Sequence, residues 1–144
     1  MSRKRTRFVD DFLSSLLNRA SHAISAEFLK EVEKQKLAPT EWRVLATLSD
    51  GDGLTIGQLA EIVMAKQPTV TKIIDRMSLQ GLVERKTGEI DKRQTTIFTT
   101  DTGKELVREL LRRARIAESA ALRQFSEDEV ESLKKMLRRM IDGE

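Results

Sequence analysis

The chain contains no cysteine. That excludes disulfides, thiol nucleophiles, thiol redox sensing and any cysteine-ligated zinc. Histidine is nearly as scarce: His22 alone cannot supply a histidine-rich metal site or a Ser-His-Asp triad. Neither a metal nor another cofactor is expected. Tyrosine is absent and aromatic residues make up 4% of the 144 positions, so composition does not favour a pocket built on ring stacking. No apolar run approaches the roughly 20 residues that span a bilayer. Asp10 and Asp11 interrupt the stretch that would follow a basic signal-peptide start, so the chain reads as cytoplasmic and free of the membrane. With no convergent acid/base or nucleophile set in view, an enzyme is not expected.

The composition, 39% hydrophobic and 34% charged, fits a soluble, helix-rich protein: one domain, or one compact head with helical extensions. Net charge is only +3, but it is unevenly spread. Arg3, Lys4, Arg5 and Arg7 stand without an acid among the first seven residues. Residues 66–93 hold seven basic groups against four acidic ones, whereas the remainder holds 15 basic and 19 acidic. Positive charge is gathered in two places, as an anionic partner requires, although short charge runs are also common on solvated surfaces.

Apolar spacing predicts one long helix from Phe8 to Lys34, carrying Phe8, Phe12, Leu16, Ala20, Ile24 and Phe28 on a stripe wide for a helix covering a small domain. Leu37-Ala-Pro-Thr40 breaks it. Thr40 can cap a second helix, Glu41 to Ser49, with Trp42, Leu45 and Leu48 inward, and Asp50-Gly-Asp-Gly53 is a turn. Thr55 caps a short third helix with Ile56, Leu59, Ala60 and Val63 on its buried face. A brief turn at Met64 to Lys66 leads to a fourth helix, which Gly81 ends. Leu82–Arg85 and Gln94–Thr99 read as two strands around a polar loop. A helix of about twenty residues starts at Asp101 or Thr102, and Ser126-Glu-Asp-Glu129 is a capping box opening the last one, with Val130, Leu133, Leu137 and Met140 along it. The order predicts a mainly α fold with a small β-hairpin, a winged helix–turn–helix occupying residues 37–100.

In a helix–turn–helix the second helix enters the major groove and its N-terminal residues meet base edges. Val70, Ile73, Ile74 and Met77 form the inward face of the helix in question. Pro68, Thr71, Lys72, Asp75, Arg76 and Leu79 fall outward, with Thr69 at the edge and Gln67 nearer the core but able to reach out. Short threonines let a backbone approach the duplex; Thr and Gln can read base edges, and Lys72 and Arg76 can pair with phosphate or guanine. Pro68 suits the first turn, where its missing N–H costs nothing. An ordinary surface helix would carry acids there to complement its dipole, and none precedes Asp75. In the hairpin loop, Lys92 and Arg93 are placed for a minor-groove contact, and Asp91 as an Asx-turn brace.

These pieces resemble the MarR family of bacterial transcriptional regulators over nearly the whole chain. The resemblance rests on Leu37-Ala-Pro-Thr-Glu-Trp-Arg-Val-Leu45, Leu54-Thr-Ile-Gly-Gln-Leu-Ala60, Gln67-Pro-Thr-Val-Thr-Lys72, Asp75-Arg-Met77, Gly81-Leu-Val-Glu-Arg85, Asp91-x-Arg93 and Thr100-x-x-Gly103, in that order. Thr99 departs from the leucine usual before the last element. The resemblance implies a homodimer whose first and last helices interleave, making residues 1–36 and 101–144 a dimerisation region through Phe8, Phe12, Leu16, Leu133, Leu137 and Met140. It implies double-stranded DNA as partner, with a pseudo-palindromic operator, usually repressed. Gln67, Pro68, Thr69, Thr71, Lys72 and Arg76 map to its recognition helix, Arg93 to its minor-groove arginine and Asp91 to its wing aspartate.

Many members release DNA on binding a small phenolic or aromatic-acid-like compound. Missing cysteines and a single histidine argue against the thiol-sensing and zinc-sensing branches. His22, Trp42 and Arg43 lie on the first two helices, where the resemblance puts an effector pocket; each also has an ordinary reading, as interface, core and capping residue in turn. The competing function is a winged-helix protein-interaction module, because this fold alone does not guarantee DNA binding.

Overall fold

The computed structural model describes residues 6–51, 53–88, 91 and 93–144. The elements are α1 (Phe8–Asp11), α2 (Leu13–Lys34), α3 (Pro39–Asp50), α4 (Ile56–Val63), α5 (Gln67–Leu79), β1 (Val83–Thr87), β2 (Thr95–Thr99), α6 (Asp101–Ala121) and α7 (Glu127–Asp142). The chain divides into two compact units, one of residues 1–28 with 114–144, the other of residues 29–113.

The second unit is the winged helix–turn–helix and holds nearly all of the fully buried apolar side chains. Helix α4 packs against α3 and α5, while the hairpin lies on α3, α4 and α5. Val70, Ile73, Ile74 and Met77 of α5 are all buried, as its spacing predicts; at about 2 kcal/mol for each such side chain, they fix which face of α5 is left outside. β1 and β2 are antiparallel, with Val83 opposite Thr99 and Thr87 opposite Thr95. A third, single-residue rung from Leu54 to Ile97 ties the segment before α4 to the sheet. The sequence does not announce it, since one bridging residue has no periodicity.

Thr100 joins three elements. Its hydroxyl donates to the Gly81 carbonyl (2.5 Å) and accepts from the Gly103 N–H (3.1 Å), while its own N–H donates to the Leu82 carbonyl (3.1 Å). Gly81 itself sits at φ 74°, in the left-handed region that a non-glycine residue enters at a cost.

Three expectations are corrected. The first helix is not continuous: Phe12 is extended (ψ 119°), and one turn, α1, precedes α2. Around the break Asp10 accepts from the Arg7 N–H (3.3 Å) and pairs with Arg19 (3.0 Å), and α1 has no buried side chain to hold it in line with α2. Helix α3 starts at Pro39, not Glu41, with Ala38 rather than Thr40 at the N-cap; Glu41 Oε1 accepts the Ala38 N–H at 3.2 Å. Proline's fixed φ suits that first position. Finally, Trp42 is only half-buried, and the inward stripe of α3 is Glu41, Val44, Leu45 and Leu48.

Within the winged unit, an acid–base cluster connects the end of α2 to α6: Glu31 pairs with Lys34 (2.9 Å) and Arg113, and Glu109 with Arg112 (2.7 Å) and Arg113 (2.8 Å). Hydrogen bonds from Arg112 and then Arg113 hold the Glu109 carboxyl down at about 2; a hydrogen bond from Lys34 leads those that lower Glu31. Both folded-state values lie below the ordinary carboxylate value of 4.5. Their stabilisation is therefore present above about pH 4.5 and lost as pH falls below it, for Glu109 as pH approaches 2. Thermal unfolding should show Glu109→Gln losing less stability than the wild type between pH 5 and pH 3.

The helical unit is built differently. Helix α7 opens with the reciprocal Ser126–Glu129 box (2.9 and 3.1 Å) and has no buried residue, although its apolar side chains share one face. Phe8, 74% exposed, stacks on Phe12 at 4.8 Å. Leu16, Leu133, Met136, Met140 and Ile141 are also exposed, and Leu137 is half-buried.

Candidate DNA interface

Thr55 and Gln58 cap α4 reciprocally, Thr55 Oγ1 accepting the Gln58 N–H (3.1 Å) and Gln58 Oε1 the Thr55 N–H (2.9 Å). Met64 then turns the chain in the left-handed conformation (φ 57°), and the Ala65 N–H donates back to the Ala60 carbonyl (3.0 Å). Three residues, Met64 to Lys66, separate α4 from α5. No side chain caps it and no acid stands in its first turn, so its free N–H groups and dipole favour an anion.

Gln67, Pro68, Thr69, Thr71 and Lys72 are all exposed, and among the described residues none of them is in an ion pair. Thr71 donates its hydroxyl to the Gln67 carbonyl (3.0 Å), which leaves its methyl group and an acceptor lone pair for a base edge. The Gln67 side chain lies over the start of α4: a Cβ on Gly57 would stand 3.4 Å from its Nε2.

The second half of α5 is held instead of free. Asp75 pairs with Arg85 of β1. Arg76 Nη2 lies 2.8 Å from Glu41 Oε1 on α3. Arg76, expected outward for phosphate or guanine, is 58% exposed, but its partner is only 2% exposed. The other Glu41 oxygen, Oε2, is buried with no hydrogen-bond partner among the described residues. Consecutive side chains thus tie the recognition helix to the wing and to α3. The sequence pattern does not reveal Glu41; its place three residues into α3 signals a cap, but nothing in the spacing shows a carboxylate taking a core position.

In the wing, Asp91 Oδ1 accepts the Arg93 N–H (3.0 Å) and its carbonyl accepts the Gln94 N–H (3.0 Å), so it braces the loop through an Asx turn. The Gly88 N–H closes the loop on the Gln94 carbonyl (2.7 Å). Arg93 is exposed, with no ion-pair partner among the described residues. Lys92 lies outside the described residues. Lys86 Nζ sits 4.3 Å from the Phe98 ring centroid, a cation–π contact across the base of the hairpin.

The winged-helix geometry agrees with comparison to known proteins. A family model described as the MarR family matches residues 37–95. A MarR family transcriptional regulator of known structure from Silicibacter pomeroyi DSS-3 is 33% identical and superposes with a TM-score of 0.83 over 94% of this chain and 97% of its own. The chain belongs to the MarR family. The transcriptional regulator PecS of Dickeya dadantii is 30% identical over 127 residues, covering 86% of this chain and 76% of PecS. MhqR of Bacillus subtilis, also a transcriptional regulator, is 28% identical over 127 residues, covering 87% and 86%. This MarR-family chain is therefore a DNA-binding transcriptional regulator, and the interaction-module alternative loses its support.

The effector candidates divide between the units. His22 is exposed on α2 beside Asp10, Leu16 and Arg19 in the helical unit. Trp42 and Arg43 belong to α3 in the winged unit, where Arg43 Nη2 donates to Thr40 Oγ1 (3.3 Å). Among the described residues, no group of His, Asp or Glu side chains is arranged to hold a metal ion, and no helix is long and apolar enough to cross a membrane.

Proposed function

We propose that the chain is a cytoplasmic homodimeric repressor reading a pseudo-palindromic operator. Gln67, Pro68, Thr69, Thr71 and Lys72 take the major groove, and Lys92 and Arg93 the minor groove. Asp91 supports the wing through backbone hydrogen bonds. The observation that carries this is the asymmetry of α5: a reading end exposed and without acids, on a helix whose opposite face is fully buried.

The dimer rests on the helical unit, residues 1–28 and 114–144, narrower than the 1–36 and 101–144 division drawn from sequence because residues 29–36 and 101–113 belong to the winged unit. Phe8, Phe12, Leu16, Leu133 and Met140 stay exposed and Leu137 half-buried in one chain, an apolar area that a second copy would cover. A small phenolic or aromatic-acid effector is the proposed release signal. A crevice of about 280 Å³ lined by Leu48, Thr99, Val107 and Leu111 together with Lys104 and Arg108 has an apolar wall and cationic groups suited to such an acid.

Selection of bound fragments from random DNA tests the reading. It should return an inverted repeat whose half-sites are centred one helical turn, about 34–36 Å, apart. Recovery of a single unrepeated motif would contradict the dimeric mode.

A further inference from the structure

We infer that Glu41 and Arg76 are positioning residues that set the pose of the recognition helix, and that Arg76 makes no DNA contact of its own. The inference rests on the DNA-binding reading above.

Glu41 occupies an inward position of α3 between apolar neighbours, and its carboxylate is 2% exposed. It has two partners: the Ala38 N–H at 3.2 Å, which fixes the start of α3, and Arg76 Nη2 at 2.8 Å, which fixes α5. Oε2 is buried with no hydrogen-bond partner among the described residues, so the carboxylate is already under-satisfied there. Moving the Arg76 guanidinium to a phosphate would leave that buried carboxylate without the one ion-pair partner it has among the described residues, and uncompensated buried charge is strongly unfavourable. Arg76 therefore stays with Glu41 when the reading end of α5 meets DNA. Asp75, one residue earlier, pairs with Arg85 of β1. Two ion pairs thus anchor the C-terminal half of α5 to separate elements, leaving Gln67 to Lys72 to approach the groove at a fixed angle. A carboxylate that cannot touch DNA becomes a determinant of operator affinity.

The test measures affinity for operator and for unrelated DNA over a range of salt, for wild type, Glu41→Gln, Glu41→Gln/Arg76→Gln and Lys72→Ala. Counterion release makes the slope of log K against log salt shallower by about 0.9 for each phosphate that the protein no longer neutralises. Glu41→Gln and the double variant should each bind operator about tenfold more weakly. Both should keep the wild-type salt slope and bind unrelated DNA within about twofold of wild type; these limits come from a pose change that leaves every phosphate contact in place. Lys72→Ala should flatten the slope. Should Glu41→Gln be too unstable to assay, the double variant, which leaves no unpaired guanidinium beside the amide, carries the same expectation. Wild-type operator affinity in Glu41→Gln, or a flattened slope in the double variant, overturns the inference. A wild-type protein that binds no operator overturns the DNA reading and this inference with it.

Discussion

Lys72→Ala/Arg93→Ala should bind operator about a thousandfold more weakly than wild type while unfolding at the same temperature. The expected size takes about 1 kcal/mol for each groove or phosphate contact removed and four such contacts on a dimer-bound site. Both side chains are exposed and unpaired among the described residues, so removing them breaks no ion pair within the fold. Arg85→Ala makes the informative control. It removes a positive charge from the same region, but Arg85 is engaged with Asp75, so its effect should pass through the wing and be smaller. Fluorescence anisotropy on a fixed operator, with circular dichroism to monitor the fold, separates these outcomes. A double variant within threefold of wild type would remove Lys72 and Arg93 from the interface, since even one contact at about 1 kcal/mol is worth about fivefold.

Gly103→Ala should cost about 3 kcal/mol, the upper part of what forced overpacking does to a closed interior. A Cβ at Gly103 would stand 2.1 Å from the Leu82 carbonyl oxygen and 2.7 Å from Thr99 Cγ2. The first obstacle is backbone and cannot rotate away. Either α6 or the segment leading into β1 must move, breaking the Thr100 bonds to Gly81 and Leu82 that join α5, the sheet and α6. A drop of about 10 °C in Tm follows from that free energy for a chain of this size. Because Leu82 precedes the wing, DNA affinity should also fall even where the variant remains folded. Thr100→Val serves as the contrast: it removes the hydroxyl without inserting an atom beside Leu82, and the missing capping interaction should cost only about 1 kcal/mol. Equal stability for Gly103→Ala and wild type would show that the α6–Leu82 approach is looser than these distances imply.

Several helices are legible in the sequence because they are marked twice, by apolar period and by a capping or terminating residue. Helix α5 has Val70, Ile73, Ile74 and Met77 inside and Gly81 after it; α7 of the helical unit has the Ser126–Glu129 box before it. The candidate interface residues follow from the same period, because on a helix the buried face fixes the exposed one. Two kinds of feature are not legible. The break at Phe12 lies within an unbroken apolar spacing, beside a single turn that buries no side chain. The burial of Glu41 depends on Arg76, 35 positions later in the sequence, and a hydrophobicity pattern assigns a glutamate outward by default. Trp42 is expected inward for the same reason, since the pattern gives the largest apolar side chain the slot that the ion pair occupies. Pairings between distant charged residues have no local signature, and in this protein one of them ties Arg76 to a buried carboxylate.

Sequence reading by the N-terminal half of α5 is tested most directly by an anisotropy titration of wild-type protein against the DNA upstream of its own gene and against a scrambled duplex of equal length, at about 50 and about 200 mM salt. Operator binding should be at least about a thousandfold tighter than binding to the scrambled duplex, with both falling steeply as salt rises. Equal affinity for the two duplexes would contradict sequence reading by α5, and affinity unchanged by salt would contradict DNA recognition through this surface altogether.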